Sequence, residues 1–81
     1  MNIRLTLYYR QHCHLCEQML AELKSTAADL DIEVSLVDID RDETLKSRYD
    51  AQVPVLADGE TVICRYFFEE QPFREHLKLH G

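Results

Sequence analysis

The sequence predicts one α/β domain spanning residues 1–81, with element order βαβαββα and a four-stranded mixed sheet flanked by helices. Three observations lead there. Ile3–Tyr9 reads as a strand, and from Leu15 to Leu30 apolar residues recur at helical spacing. Residues 32–37 alternate again, which completes a βαβ unit whose two strands must run parallel through a right-handed crossover. Further on, Asp58-Gly59 lies between two apolar runs, the pattern of an antiparallel hairpin.

Each element has its own signal. Ile3–Tyr9 alternates and then turns apolar, as a strand covered first on one face and then on both would. In residues 15–30 the apolar positions Met19, Leu20, Leu23, Ala27 and Leu30 form one face, with Glu17, Gln18, Glu22 and Lys24 between them. Asp40 is the predicted cap of a short second helix over residues 41–49, with Glu43 three residues on in the manner of a capping box. Residues 53–57 and 60–64 are the predicted hairpin strands. Pro54 stands at the first position of its strand, where a missing N–H removes little pairing. A last helix is expected over residues 69–80, with Pro72 in the early turn that tolerates it and Phe73 and Leu77 facing inward. Gly81 ends the chain, and no repeat or linker interrupts it.

Composition narrows the class of partner. Apolar residues make up 46% and charged residues 30%, a globular balance without a low-complexity tract. A net charge of −6 argues against a polyanionic partner, because phosphate neutralisation needs clustered Lys and Arg, so nucleic acid is not expected. Residues 1–6 lack a basic segment leading into a long apolar stretch, and no run approaches membrane-spanning length. No membrane association is expected, and the chain reads as a cytoplasmic monomer. Three cysteines, of which only two are close in sequence, do not form the framework of a secreted mini-protein and fit a reducing compartment.

The two close cysteines form Cys13-His14-Leu15-Cys16, at the junction of the first strand and the first helix. A bridge across so short a loop would stabilise the fold by only about 2 kcal/mol in the chain-entropy model. Stapling is therefore a weak reason for the pair, which leaves redox chemistry or redox sensing, half of a structural metal site, or a coincidental pair.

In these residues the chain resembles the thioredoxin superfamily, and within it the glutaredoxins. The resemblance rests on Tyr8-Tyr9-Arg10 leading into the motif, Cys13-His14-Leu15-Cys16 at the helix start, Val53-Pro54 about forty residues later, and the hairpin and helix that follow. It implies a thioredoxin-like fold and a thiol–disulfide oxidoreductase. Cys13 would be the nucleophile and Cys16 the resolving thiol of a redox-active disulfide. A helix N-terminus suits that role, since its unpaired N–H groups and partial positive charge lower a thiol pKa from about 8.5 to about 3.5–7.5. The resemblance further implies that Val53-Pro54 is a cis-proline pair whose backbone meets the substrate in extended form. Arg10 stands where many glutaredoxins carry a Lys that contacts a glutathione carboxylate, and its fork could make that contact bidentately. His12 and His14 would favour a thiolate if protonated, whereas Glu17 would oppose it.

Departures from the family pattern bear on the electron donor. Glutaredoxins usually follow the hairpin with Gly-Gly and an acidic residue that grips glutathione, whereas this chain has Ile63-Cys64-Arg65-Tyr66. Without those glycines a backbone cannot approach a ligand as closely. Gln52 replaces the usual Thr, and His14-Leu15 the usual Pro-Tyr. Glutathione is thus in question as reductant, although Arg65 could supply a substitute anchor. The expected partners are a disulfide-containing protein or low-molecular-weight substrate and, as electron donor, a reductase or glutathione. No tightly bound cofactor is expected.

Other signals carry less. His12, His14, His76 and His80 together with the thiols suggest zinc, but about sixty residues separate Cys16 from His76, far from finger spacing. Asp38, Asp40 and Asp42 begin like a calcium loop and then fail at the required Gly, where Glu43 stands. Cys64, in a strand beside aromatic residues, reads as a small core filler. The alternatives to an oxidoreductase are a metal or iron–sulfur cluster carrier and a redox-sensitive binding module on the same fold.

Overall fold

The computed structural model describes residues 3–80, without the side chain of His80, so the expectations for Met1, Asn2, the His80 ligand and Gly81 lie outside the described residues. Strand β1 (Ile3–Tyr9) leads to helix α1 (His14–Thr26) and strand β2 (Ile32–Asp38). A 3-10 turn (Ile39–Arg41) and helix α2 (Glu43–Tyr49) follow, then strands β3 (Val55–Asp58) and β4 (Thr61–Arg65) and helix α3 (Glu70–His80). The strand order is β2-β1-β3-β4. β1 pairs parallel with β2 and antiparallel with β3, and β3 pairs antiparallel with β4.

This topology brings four loops to one end of the sheet. Parallel β1 and β2 both finish there, with Tyr9 opposite Asp38. Antiparallel β3 starts there, with Val55 opposite Tyr8 and Arg65. The thiol motif, the turn after β2, the segment before β3 and the segment after β4 therefore converge. No helix among the described residues is long and apolar enough to cross a membrane.

Alternation of β1 divides the core between the two faces of the sheet. Leu5 and Leu7 join Met19 and Leu23 of α1, Leu56, Cys64 and Phe73 of α3 in the larger cluster. Tyr8 points to the other face and packs with Ile39, Tyr49 and Val55, its ring 4.6 Å from that of Tyr49 in a stacked pair. Cys64 is the core filler expected of it, and its thiol also exchanges polar contacts with the backbone of Glu69 at 3.4 and 3.6 Å.

Several boundaries differ from the sequence expectation. Helix α1 stops at Thr26, four residues before Leu30, because Ala27 leaves helical geometry after its N–H has bonded Leu23 O. The cap of α2 is Asp42, not Asp40: Asp42 Oδ1 accepts from the N–H groups of Thr44 and Leu45 at 2.9 and 3.2 Å. Burial of Ile39 explains the delay, since the chain turns to bring that residue into the core before the helix can begin. Asp40 is left in the 3-10 turn, which Asp38 caps. The hairpin loop is Gly59-Glu60 in place of Asp58-Gly59, with Asp58 paired to Thr61. Gly59 has φ +61, the sign favoured at the first central position of a type II′ turn. A register shift between Leu56 and Ala57 places an extra residue in β4, the mark of a bulge. Pro54 precedes β3 and does not begin it; the Val53–Pro54 bond is cis.

Candidate redox site

Cys13 is the N-cap of α1, and it forms a disulfide with Cys16 across a Cα–Cα distance of 5.2 Å. The N–H of Cys16 donates to Cys13 Sγ at 3.1 Å, and that of Glu17 donates to Cys13 O at 3.1 Å. A sulfur at this position thus occupies the place a Ser or Asp oxygen takes in an ordinary cap, facing the positive end of the helix. The two sulfurs differ in access. Cys16 is 4% exposed and sits on the same helical face as Met19 and Leu23, whereas Cys13 is half-buried.

His12 immediately precedes the pair and has φ +60, a conformation costly for a residue with a side chain. His14 and Glu17 are exposed and lie 3.9 Å apart, at the edge of ion-pair range.

The segment before β3 is braced from β4. Tyr66 N–H donates to Pro54 O at 2.9 Å and its hydroxyl to Ala51 O at 2.8 Å, while Arg65 Nε donates to Gln52 Oε1 at 2.8 Å. Gln52 and Arg65, the two residues singled out as departures, are therefore partners. Tyr66 has φ +68, so a tyrosine holds a left-handed turn that glycine adopts more readily. Tyr66 and Phe67 are exposed, and with Leu15 and Met19 they border a small cleft of about 110 Å³.

Arg10 is held by two carboxylates. Its Nε and Nη2 donate to Asp40 Oδ2 and Oδ1 at 3.0 and 3.1 Å, and Nη2 also bonds Asp50. The pairing with Asp50, then Asp40, raises the guanidinium's pKa still further, and Arg10 lowers that of Asp50. Asp40 follows β2 and Asp50 follows α2, so one side chain ties the thiol loop to the turn after β2 and to the approach to Pro54.

A larger cleft, of about 400 Å³, opens beside the disulfide on the α1 and β2 side. Leu7, Leu20 and Leu36 form its apolar wall, and Arg10, Gln11, His12 and Glu17 contribute charged or polar groups. Of the sequence candidates, Arg10, Cys13 and Cys16 line this cleft together, whereas Val53 and Pro54 do not. His76 is elsewhere: it is buried in α3 with Nε2 2.8 Å from Asp58 Oδ2. Asp58 lies past the Thr6–Ala57 pair, toward the start of β1 and the opposite end of the sheet from Cys13.

Sequence reasoning missed Asp50, Tyr66, Phe67 and Leu36 as parts of this region, and it read Asp40 as a cap. Only Leu36 had a usable signal, a bulky apolar residue at an edge-strand position. The other placements depend on which loops converge, and that is a property of the strand order.

The model of the glutaredoxin-like domain (DUF836) matches residues 4–78. Among solved structures, a Nitrosomonas europaea protein determined by solution NMR is 31% identical, with a TM-score of 0.83 over 94% of this chain and 92% of that one. An X. campestris protein is 35% identical, with a TM-score of 0.72 over 95% and 99%. Fasciola hepatica thioredoxin, at 19% identity, shares the fold with a TM-score of 0.60 over 99% of this chain and 82% of its own. Among curated proteins there is no match. With a family match that spans nearly the whole chain, and with the strand order and helix-capping thiols already described, this protein belongs to the glutaredoxin-like domain family and has the thioredoxin fold.

Proposed function

We propose that the chain is a thiol–disulfide oxidoreductase that cycles Cys13 and Cys16 between dithiol and disulfide. The single observation that carries this reading is the bridged pair at the α1 cap, with Cys13 Sγ accepting the Cys16 N–H. In the reduced protein the same N–H and the helix N-terminus would favour the thiolate of Cys13. That thiolate attacks one sulfur of a substrate disulfide, and the other sulfur departs as a thiol. Cys16 then attacks Cys13 Sγ, releases the second substrate thiol and closes the internal bridge. Two electrons pass to the substrate, and an external thiol donor returns them. The greater burial of Cys16 supports the unequal roles, because a substrate reaches Cys13 first.

The cycle calls for no tightly bound cofactor. Val53 and Pro54, next to the bracing contacts from Tyr66, are suited to hold a substrate chain. Arg10, engaged by Asp40 and Asp50, is poorly disposed to take a glutathione carboxylate, which favours a protein reductase as donor. The test is a trapping experiment. Cys16→Ser should accumulate a mixed disulfide on Cys13 seen by intact mass, and Cys13→Ser should abolish turnover in an assay coupled to a thioredoxin reductase. Failure of both variants to differ from wild type would reject the proposal. Stoichiometric zinc or iron in native mass spectra, lost on replacing Cys13, would instead favour the carrier reading.

A further inference from the structure

The cleft beside the disulfide has a charge pattern that bears on its occupant. Its wall of Leu7, Leu20 and Leu36 is apolar, and Leu36, on edge strand β2, is half exposed at 51%. At about 400 Å³ it falls in the range of small-molecule sites, about 300–1,000 Å³. None of residues 51–54 or 65–68 lines it, so it is a separate flank of the thiol pair from the Val53–Pro54 side. Its one arginine, Arg10, is matched by Asp40 and Asp50, and Glu17 adds a further exposed carboxylate. Arg10 is thus already engaged by two carboxylates from behind the cleft, Lys46 acts on Asp50 as well, and Glu17 is the carboxylate that lines the cleft itself.

The geometry points to a subsite for an uncharged, apolar, low-molecular-weight disulfide, with Asp40 and Asp50 acting as specificity residues that withdraw Arg10 from anionic ligands. This rests on the oxidoreductase reading and names its substrate class. The apolar body of the ligand covers Leu7, Leu20 and Leu36 while its disulfide meets Cys13. Cys13 thiolate bonds one ligand sulfur as the ligand S–S bond breaks, and the freed sulfur takes a proton. Cys16 thiolate then bonds Cys13 Sγ and expels the second ligand sulfur, which also takes a proton. The protein dithiol is oxidised and the ligand disulfide reduced by two electrons. A carboxylate on the ligand finds Arg10 already paired with Asp40 and Asp50 and meets Glu17 in the cleft wall.

Stopped-flow oxidation of the reduced protein tests this with two probes that share one apolar body, lipoamide, which is uncharged, and lipoate, which carries a carboxylate. Each rate constant is divided by that of dithiothreitol with the same disulfide, and glutathione disulfide serves as the anionic, polar comparison. Lipoamide is expected to exceed lipoate by about tenfold, equivalent to about 1.4 kcal/mol. The double variant Asp40→Asn, Asp50→Asn should bring that ratio down several-fold. Leu36→Glu, at an exposed position that leaves the core intact, should slow lipoamide more than glutathione disulfide. Equal normalised rates for lipoamide and lipoate in the wild type, or a ratio unmoved by the double variant, would overturn the specificity claim while leaving thiol–disulfide exchange standing. Absence of reaction with all three disulfides would overturn the subsite, and together with no mixed disulfide on Cys16→Ser and no reductase-coupled turnover it would overturn thiol–disulfide exchange as well.

Discussion

At the scale of single residues, the chemistry is arranged by what each side chain is bonded to. Cys64 illustrates the contrast with Cys13. It is buried among Leu5, Leu56 and Phe73, and burial pushes its thiol pKa up. A neutral thiol in the core reacts slowly, so iodoacetamide at pH 8 should leave Cys64 unmodified in the native protein and label it fully in denaturant, as read by peptide mass spectrometry. The Arg10 cluster has a pH signature of the opposite sense. Asp50's pKa is lowered by the hydrogen bond from Arg10, so the stability it contributes is present above the unfolded value, about 3.9, and is lost as pH falls through the lower folded value. Arg10→Gln should therefore be less stable than wild type at pH 7 in urea unfolding, with the gap narrowing below about pH 4. A gap that persisted unchanged at pH 2 would show that the loss came from packing. The pair is exposed, so the difference at pH 7 is expected to be small.

At the scale of elements, apolar periodicity marked β1, α1 and β2, and capping and turn signals marked α2, the hairpin and α3, but the 3-10 turn at Ile39–Arg41 was not foreseen and several element ends moved. In the linear sequence Asp40 stands out as the cap because Glu43 follows three residues on, although Asp38 and Asp42 offer the same side chain. Only the need to bury Ile39 decides that Asp42 caps α2 while Asp40 is released toward Arg10. The cap assignment predicts that Asp42→Ala lowers stability by about 1 kcal/mol in chemical denaturation, together with loss of helical signal. A loss below a few tenths would contradict it. In the hairpin, Asp58-Gly59 correctly marked the reversal, yet pairing of Asp58 with Thr61 shifted the loop to Gly59-Glu60. Cys13 and Cys16 were legible as a close pair at the start of α1 because spacing and placement are both local. Arg10 was legible as a cation near the thiols, but its two partners, thirty and forty residues away, were not. Tyr66 was equally hidden, since nothing in sequence marks a tyrosine that takes a glycine-like turn and bonds Ala51.

At the scale of the molecule, a small core carries the whole arrangement. Phe73 is fully buried and touches the Phe68 ring, 5.2 Å between centroids, where α3 closes over the sheet. Phe73→Ala should cost about 3–5 kcal/mol, a large share of the 5–15 kcal/mol typical of a domain, and thermal unfolding should show a correspondingly large fall in Tm. Loss of under about 1 kcal/mol would mean that α3 contributes little to the core. The same sheet that α3 covers brings the thiol motif, Asp40, the Pro54 approach and Tyr66 to one end, and the central claim is that this convergence makes Cys13 and Cys16 a reversible redox couple. The most direct measurement combines redox titration with the pH dependence of Cys13 alkylation in the reduced protein. The account predicts a reversible Cys13–Cys16 disulfide with a midpoint between about −300 and −150 mV and a Cys13 pKa well below the free-thiol value of about 8.5. A Cys13 pKa at or above that value, with no reversible disulfide in the window, would contradict it.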